Sequence, residues 1–82
     1  RLAAVQGNTN AQYSLGAMYE EGQGVALDYI RAHMWFNLSA ASGYGDAIKG
    51  RDIVAKQMTL QQITKAQKMA NNCQQQNFKI CD

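Results

Sequence analysis

Residues 11–35 read Ala-Gln-Tyr-Ser-Leu-Gly-Ala-Met-Tyr-Glu-Glu-Gly-Gln-Gly-Val-Ala-Leu-Asp-Tyr-Ile-Arg-Ala-His-Met-Trp, and this stretch decides the fold. From Ala11, the residues Leu15, Met18 and Tyr19 fall at offsets of 4, 7 and 8, an apolar stripe for one face of a helix. Gly22 and Gly24 suit a turn that needs positive φ, after which Val25 docks inward. Asp28 then caps the next helix or lies in its first turn, where its charge is favourable. That helix is apolar nearly all round (Tyr29, Ile30, Ala32, Met34, Trp35, Phe36, Leu38), as a helix held between neighbours should be. Gly16 sits inside the first helix at a cost near ~1 kcal/mol relative to Ala. A neighbouring helix packed too close for a Cβ would account for the choice.

Working outward, parts of the pattern return 36 residues later: Leu2, Ala4, Gly7 and Ala11 correspond to Leu38, Ala40, Gly43 and Ala47. The match then decays, since Leu15 and Gly16 fall on Arg51 and Asp52 and the glycine loop has no counterpart. A unit of two helices and a turn cannot bury its own apolar faces and must stack on copies of itself. The sequence therefore predicts an all-α fold, with antiparallel helix hairpins stacked as an α/α solenoid of about four helices near 9–21, 28–42, 46–57 and 60–74. Residues 1–7 read as the end of a preceding repeat, 8–43 as a complete repeat, 44–75 as a C-terminal capping repeat and 76–82 as a tail, all in one domain of a longer array. The third helix has the inner stripe Ala47, Val54, Ala55 and Met58, and the fourth has Leu60, Ile63, Ala66, Ala70 and Cys73. Thr59 with Gln62 three residues on is a capping box that starts the fourth helix, and the run Gln74–Asn77 should fray it.

The string Ala11-Gln12…Leu15-Gly16…Tyr19…Gly22…Gly24-Val25…Asp28…Ala32…Trp35…Ala40 resembles the Sel-one-like repeat, a relative of the tetratricopeptide repeat. The segment Gly43…Asp46-Ala47…Arg51-Asp52…Met58-Thr59…Gln62-Ile63…Ala66-Gln67 is similar to the unit that closes such arrays. One departure is Ala26, where the family usually carries Pro, which leaves the loop less stiff. The resemblance implies a bacterial, exported protein that scaffolds or recognises other proteins through its curved face.

Charge and chemistry exclude more than they assign. Residues 43–82 carry Lys49, Arg51, Lys56, Lys65, Lys68 and Lys79 against Asp46, Asp52 and Asp82, a net of +3, whereas residues 1–42 carry a net of −1. The cations are dispersed without interleaved aromatics, so a solvated face is expected and no nucleic-acid partner. No run of 18 apolar residues offers a membrane span. His33, the only histidine, reads as a partly exposed helix residue with no nucleophile motif to serve. Asp46 and Asp52, six apart, point in different directions and make no carboxylate pair. Two cysteines and one distant histidine do not build a zinc site, and no cofactor, metal or catalytic set is expected.

Cys73 and Cys81 read best as a bridge. A continuous helix would hold them about 12 Å apart, beyond disulfide reach, but the Gln/Asn run can end the helix and let Cys81 fold back. A reduced pair with one buried thiol, or a reactive thiol, are the alternatives. The spacing is also similar to that of a secreted, cysteine-rich branch of the family, although there each pair joins the two helices of a repeat. A disulfide implies a periplasmic or secreted protein, and reduced thiols a cytoplasmic one. Some members of that branch are linked to β-lactam binding or hydrolysis, the alternative function, but no Ser-x-x-Lys motif is present here.

The function read from the chain is non-enzymatic protein interaction or scaffolding, with proteins or peptides as partners. The candidate contact residues are Tyr13, Ala17 and Glu20, placed on a stripe opposite the inward Ala11, Leu15 and Met18. Lys49, Ile53 and Lys56, at the corresponding positions of the next unit, extend that surface with opposite sign. The competing expectation is that Tyr13 packs on a preceding repeat.

Overall fold

In the computed structural model, which describes residues 2–78 and Cys81, five helices follow one another: α1 (Leu2–Val5), α2 (Thr9–Glu21), α3 (Tyr29–Ala41), α4 (Gly45–Ala55) and α5 (Leu60–Gln75). No strand occurs among the described residues. The four long helices lie where the periodicity puts them, and α1 is one short turn ahead of them.

Local chemistry sets most of the boundaries. Asn8 Oδ1 accepts the backbone N–H of Ala11 at 2.8 Å and so opens α2. Gly22 closes it in the left-handed region at φ 69°, its own N–H donating to the Met18 carbonyl. The loop swings back at Gly24, also left-handed at φ 75°. It is pinned where the Asp28 N–H donates to the Tyr19 carbonyl at 3.0 Å. Asp28 then caps α3: one carboxylate oxygen accepts from the Arg31 N–H at 3.0 Å and the other from its guanidinium at 2.7 Å. At α5, the Gln62 N–H donates to Thr59 Oγ at 3.2 Å while Gln62 Oε1 accepts from the Thr59 N–H at 2.9 Å, completing the capping box.

Helix α3 is the hub, with α2, α4 and α5 all packed on it. Ala32, His33, Met34, Trp35, Phe36, Leu38 and Ser39 are buried there, which is why its sequence is apolar on every side. α4 and α5 barely meet at the backbone, so the second pair is held together through α3. Phe36 fills the space between α2 and α4. A Cβ at Gly16 would stand 2.7 Å from its Cδ1, and one at Gly50 3.0 Å from its Cζ. A side chain at Gly16 would force the ring to move, and one at Gly50 would press on it closely. Ser39 Oγ donates to the Thr9 carbonyl at 2.9 Å, and Gln12 Nε2 donates to the Ala4 carbonyl at 3.2 Å; these bonds tie α3 and α1 to α2.

Two apolar residues depart from the expected stripes. Met18 is 37% exposed, because the inner face of α2 is Gln12, Leu15, Gly16 and Tyr19. That face centres on the glycine through which Phe36 approaches, so the stripe is rotated away from Met18. Leu60 is 77% exposed. α5 turns the small residues Ala66, Ala70 and Cys73 toward α3, and Leu60 stands roughly 110° from that ridge at ~100° per residue.

The chain after α5 turns back sharply. Asn77 and Phe78 both adopt left-handed conformations, and the Phe78 N–H donates to the Cys73 carbonyl at 2.7 Å. The Phe78 ring lies over Gly7, 3.4 Å from where a Cβ would sit. Cys81 is buried and bonded to Cys73, with Cα atoms 4.5 Å apart. Lys79, Ile80 and Asp82, expected in the tail, lie outside the described residues.

Candidate interaction surface

The flank of α2 that carries Tyr13, Ala17 and Glu20 is half-buried, and so does not stand opposite the core. Tyr13 stacks within the molecule: its ring centre is 5.5 Å from that of Phe36 and 5.1 Å from that of Tyr44, the residue that leads into α4. These distances are those of favourable aromatic pairs. Tyr13 thus packs on its own hairpin partner, through Phe36, and on the turn that leads into α4, through Tyr44. The periodicity placed the residue on the right helix but could not supply Tyr44, which comes from a distant turn. Burial, and then the neighbouring charge of Glu21, push the Glu20 carboxyl above the ordinary carboxylate range.

The positions 36 residues further on, in α4, are bare. Lys49, Ile53 and Lys56 are all exposed, Ile53 at 56%. Among the described residues no carboxylate pairs with Lys49 or Lys56. Asp52 lies 3.7 Å from the Arg51 guanidinium, and Asp46 sits in the first turn of α4, where the helix dipole favours it. On α5, Leu60, Gln61, Thr64, Lys65 and Lys68 line a shallow open depression on the surface of that one helix.

His33 is buried, 3% exposed, and its Nδ1 has no hydrogen-bond partner among the described residues. This corrects the expectation of a partly exposed residue. Burial, and then the Arg51 charge, hold its imidazole below the usual histidine range, against a smaller opposing pull from Asp52. Nothing in the local sequence marks this, because α3 is packed on three other helices and the charges that act on His33, Arg51 and Asp52, come from α4. Gln12, whose Oε1 is also buried with no partner among the described residues, is not marked by the sequence either, because an amide does not register in an apolar stripe. At Asp28, burial would raise the carboxyl, but the Arg31 N–H and guanidinium outweigh it and keep it below the ordinary range.

No helix among the described residues is long and apolar enough to cross a membrane. Among the same residues no group of three or more His, Cys, Asp or Glu side chains is placed to hold a metal ion.

Two helices joined by a glycine loop, with the second helix packed also on the next pair, make a helical hairpin of the kind that stacks in arrays. Residues 9–44 match the Sel1 repeat, over α2, the loop, α3 and the approach to α4. The chain is also 45% identical over 47 residues to chitin synthase regulatory factor 3 of Schizosaccharomyces pombe. That alignment takes in 57% of this chain and 5% of the length of the yeast protein.

Proposed function

We propose that the chain is a non-catalytic protein-binding module, and that the exposed flank of α4 makes the contact. Sel1 repeats generally act through protein–protein contact. The single observation that carries the reading here is an exposed isoleucine, Ile53, set between the exposed lysines Lys49 and Lys56. An apolar side chain with flanking charges supplies both buried area and register to a partner. Tyr13 packs on Tyr44, the residue that leads into α4. The regulatory role in the name of the yeast relative favours contact over turnover. The test is to purify the full polypeptide from its native source after mild cross-linking, beside an Ile53→Asp variant. A protein partner that crosslinks to the natural chain and is lost with the variant is the expected result. A partner retained equally by both would move the contact off α4, and the absence of any protein adduct would sink the reading.

The bonded cysteine pair supports an oxidising compartment, periplasmic or extracellular. Alkylation of both thiols in freshly lysed source cells would place the chain in a reducing one instead.

A further inference from the structure

We infer that the Cys73–Cys81 bond is a redox-operated clasp. While formed it holds Phe78 against Gly7 and so fixes the corner between α1 and α2; reduction frees that corner together with the chain after α5. The inference stands apart from the protein-binding reading and concerns a different part of the molecule.

The clasp begins where α5 ends. The Asn77 N–H donates to the Gln74 carbonyl at 3.1 Å and the Phe78 N–H to the Cys73 carbonyl at 2.7 Å, the pair of bonds that closes a helix in a Schellman turn. Such a turn asks for one left-handed residue, and Asn77, at φ 53°, supplies it at little cost. Phe78 is left-handed as well, at φ 64°. The helix ending does not require this, and positive φ is unfavourable for a bulky side chain. Something beyond the turn must hold Phe78 there. Two contacts are placed to do so: the bond that returns Cys81 to Cys73, and the seat of the Phe78 ring.

That seat gives the clasp its reach. Cε2, Cδ2 and Cζ of Phe78 all stand within 3.9 Å of where a Cβ of Gly7 would sit. Gly7, at φ 87°, makes the turn from α1 into α2. Its N–H donates to the Ala4 carbonyl at 3.1 Å, and the Asn8 N–H to the Ala3 carbonyl at 2.9 Å. Among the helices α1 packs mainly on α2. Ala4 nonetheless belongs to the same buried cluster as Cys73 and Cys81, with Val5 and Phe78 packed against it. The chain after α5 is therefore what ties the α1 corner to α5.

A dithiol reductant opens the clasp. One of its thiolates attacks Sγ of Cys81, the less enclosed of the pair, forming a mixed disulfide and releasing Cys73 as a thiolate that takes up a proton. The second thiol of the reductant then displaces Cys81 and leaves as a cyclic disulfide. Two electrons and two protons pass to the protein, and the reductant is oxidised. With the bond gone, Phe78 relaxes to negative φ and its ring leaves Gly7.

Amide exchange in the 15N-labelled chain, oxidised and then reduced with dithiothreitol, tests this. Reduction should speed exchange at Gly7 and Asn8 at least about tenfold and leave Val54 and Ala55 in α4 unchanged. In oxidised Phe78→Ala, Gly7 and Asn8 should exchange as fast as in the reduced natural chain. The bond of that variant should also be reduced about tenfold more readily against a dithiothreitol redox buffer, because coupling between ring and bond is reciprocal. Acceleration confined to residues after Cys73 would show that the bond holds only its own loop. Uniform acceleration through all four long helices would make it a general brace. Either result, or a Phe78→Ala variant in which the corner or the bond behaves as in the natural chain, would overturn the inference.

Discussion

Helices α3 and α5 hold the same place in successive pairs, yet they share almost no character. α3 is walled by three helices and buries Met34, Trp35, Phe36 and Leu38, together with a histidine and a serine. α5 leans mainly on α3 through Ala66, Ala70 and Cys73, and the rest of its surface carries amides and lysines. The difference shows that the number of neighbours, rather than kinship between repeats, sets the composition of a stacked helix. A helix with neighbours on three sides gains by being apolar all round. One that leans on a single neighbour needs only a narrow ridge, and small side chains on that ridge let the backbones come close. α5 makes up part of the lost burial at its end, where the Cys73–Cys81 bond holds the tail down.

The strongest way to break this comparison is to empty the centre of α3. Trp35→Ala should cost about 3–5 kcal/mol in denaturant unfolding, because Trp35 is fully buried. On α5, Leu60→Ala should stay within about 0.5 kcal/mol of the natural chain. Similar losses at the two sites would show that α5 carries as much of the core as α3.

Overpacking comes next. Gly16→Ala places a Cβ 2.7 Å from the Phe36 ring and should destabilise by about 1–3 kcal/mol. Gly45→Ala, in the first turn of α4, meets nothing within 4 Å and should be neutral or stabilising by up to about 1 kcal/mol. If both glycines tolerated alanine equally, the close approach of α2 to α3 would be refuted.

The smallest effect is acid sensitivity. Because burial and Arg51 lower the folded-state pKa of His33, the unfolded chain takes up a proton that the folded one resists. Stability is therefore complete above the ordinary histidine value of about 6.5 and falls as pH drops below it, by at most about 1.4 kcal/mol per pH unit. Asp28, whose carboxyl is held low, adds a loss only below about pH 4. In His33→Gln the decline between about pH 6.5 and 5 should flatten. A variant with the natural slope would assign that decline to another group.

Much of the fold can be read in the sequence because caps and turns are local. Asn8, Gly22, Asp28 and Thr59 each mark a boundary by a hydrogen bond or a backbone angle within a few residues. α4 begins at Tyr44 with no side-chain cap, and its start shows only through the repeat. Which way each helix faces is less legible. Periodicity counts apolar residues, whereas α2 turns a glycine and a glutamine inward and leaves Met18 at the edge. The candidate surface shows the same division. The 36-residue spacing identifies Lys49, Ile53 and Lys56 as equivalents of Tyr13, Ala17 and Glu20, but says nothing of which set is covered. That depends on Tyr44 and Phe36 arriving from other elements.

The Phe36 ring also limits how the molecule can be cut. It sits between Gly16, inside the matched repeat, and Gly50, six residues beyond the end of the match at 44. A cassette bounded by the repeat would leave half of that socket behind. Grafted ahead of a unit with a larger residue at the position of Gly50, it would arrive with its central ring wedged. Repeats of this chain are therefore exchangeable only in overlapping pieces, with each donor segment carrying the first half of the helix that follows it.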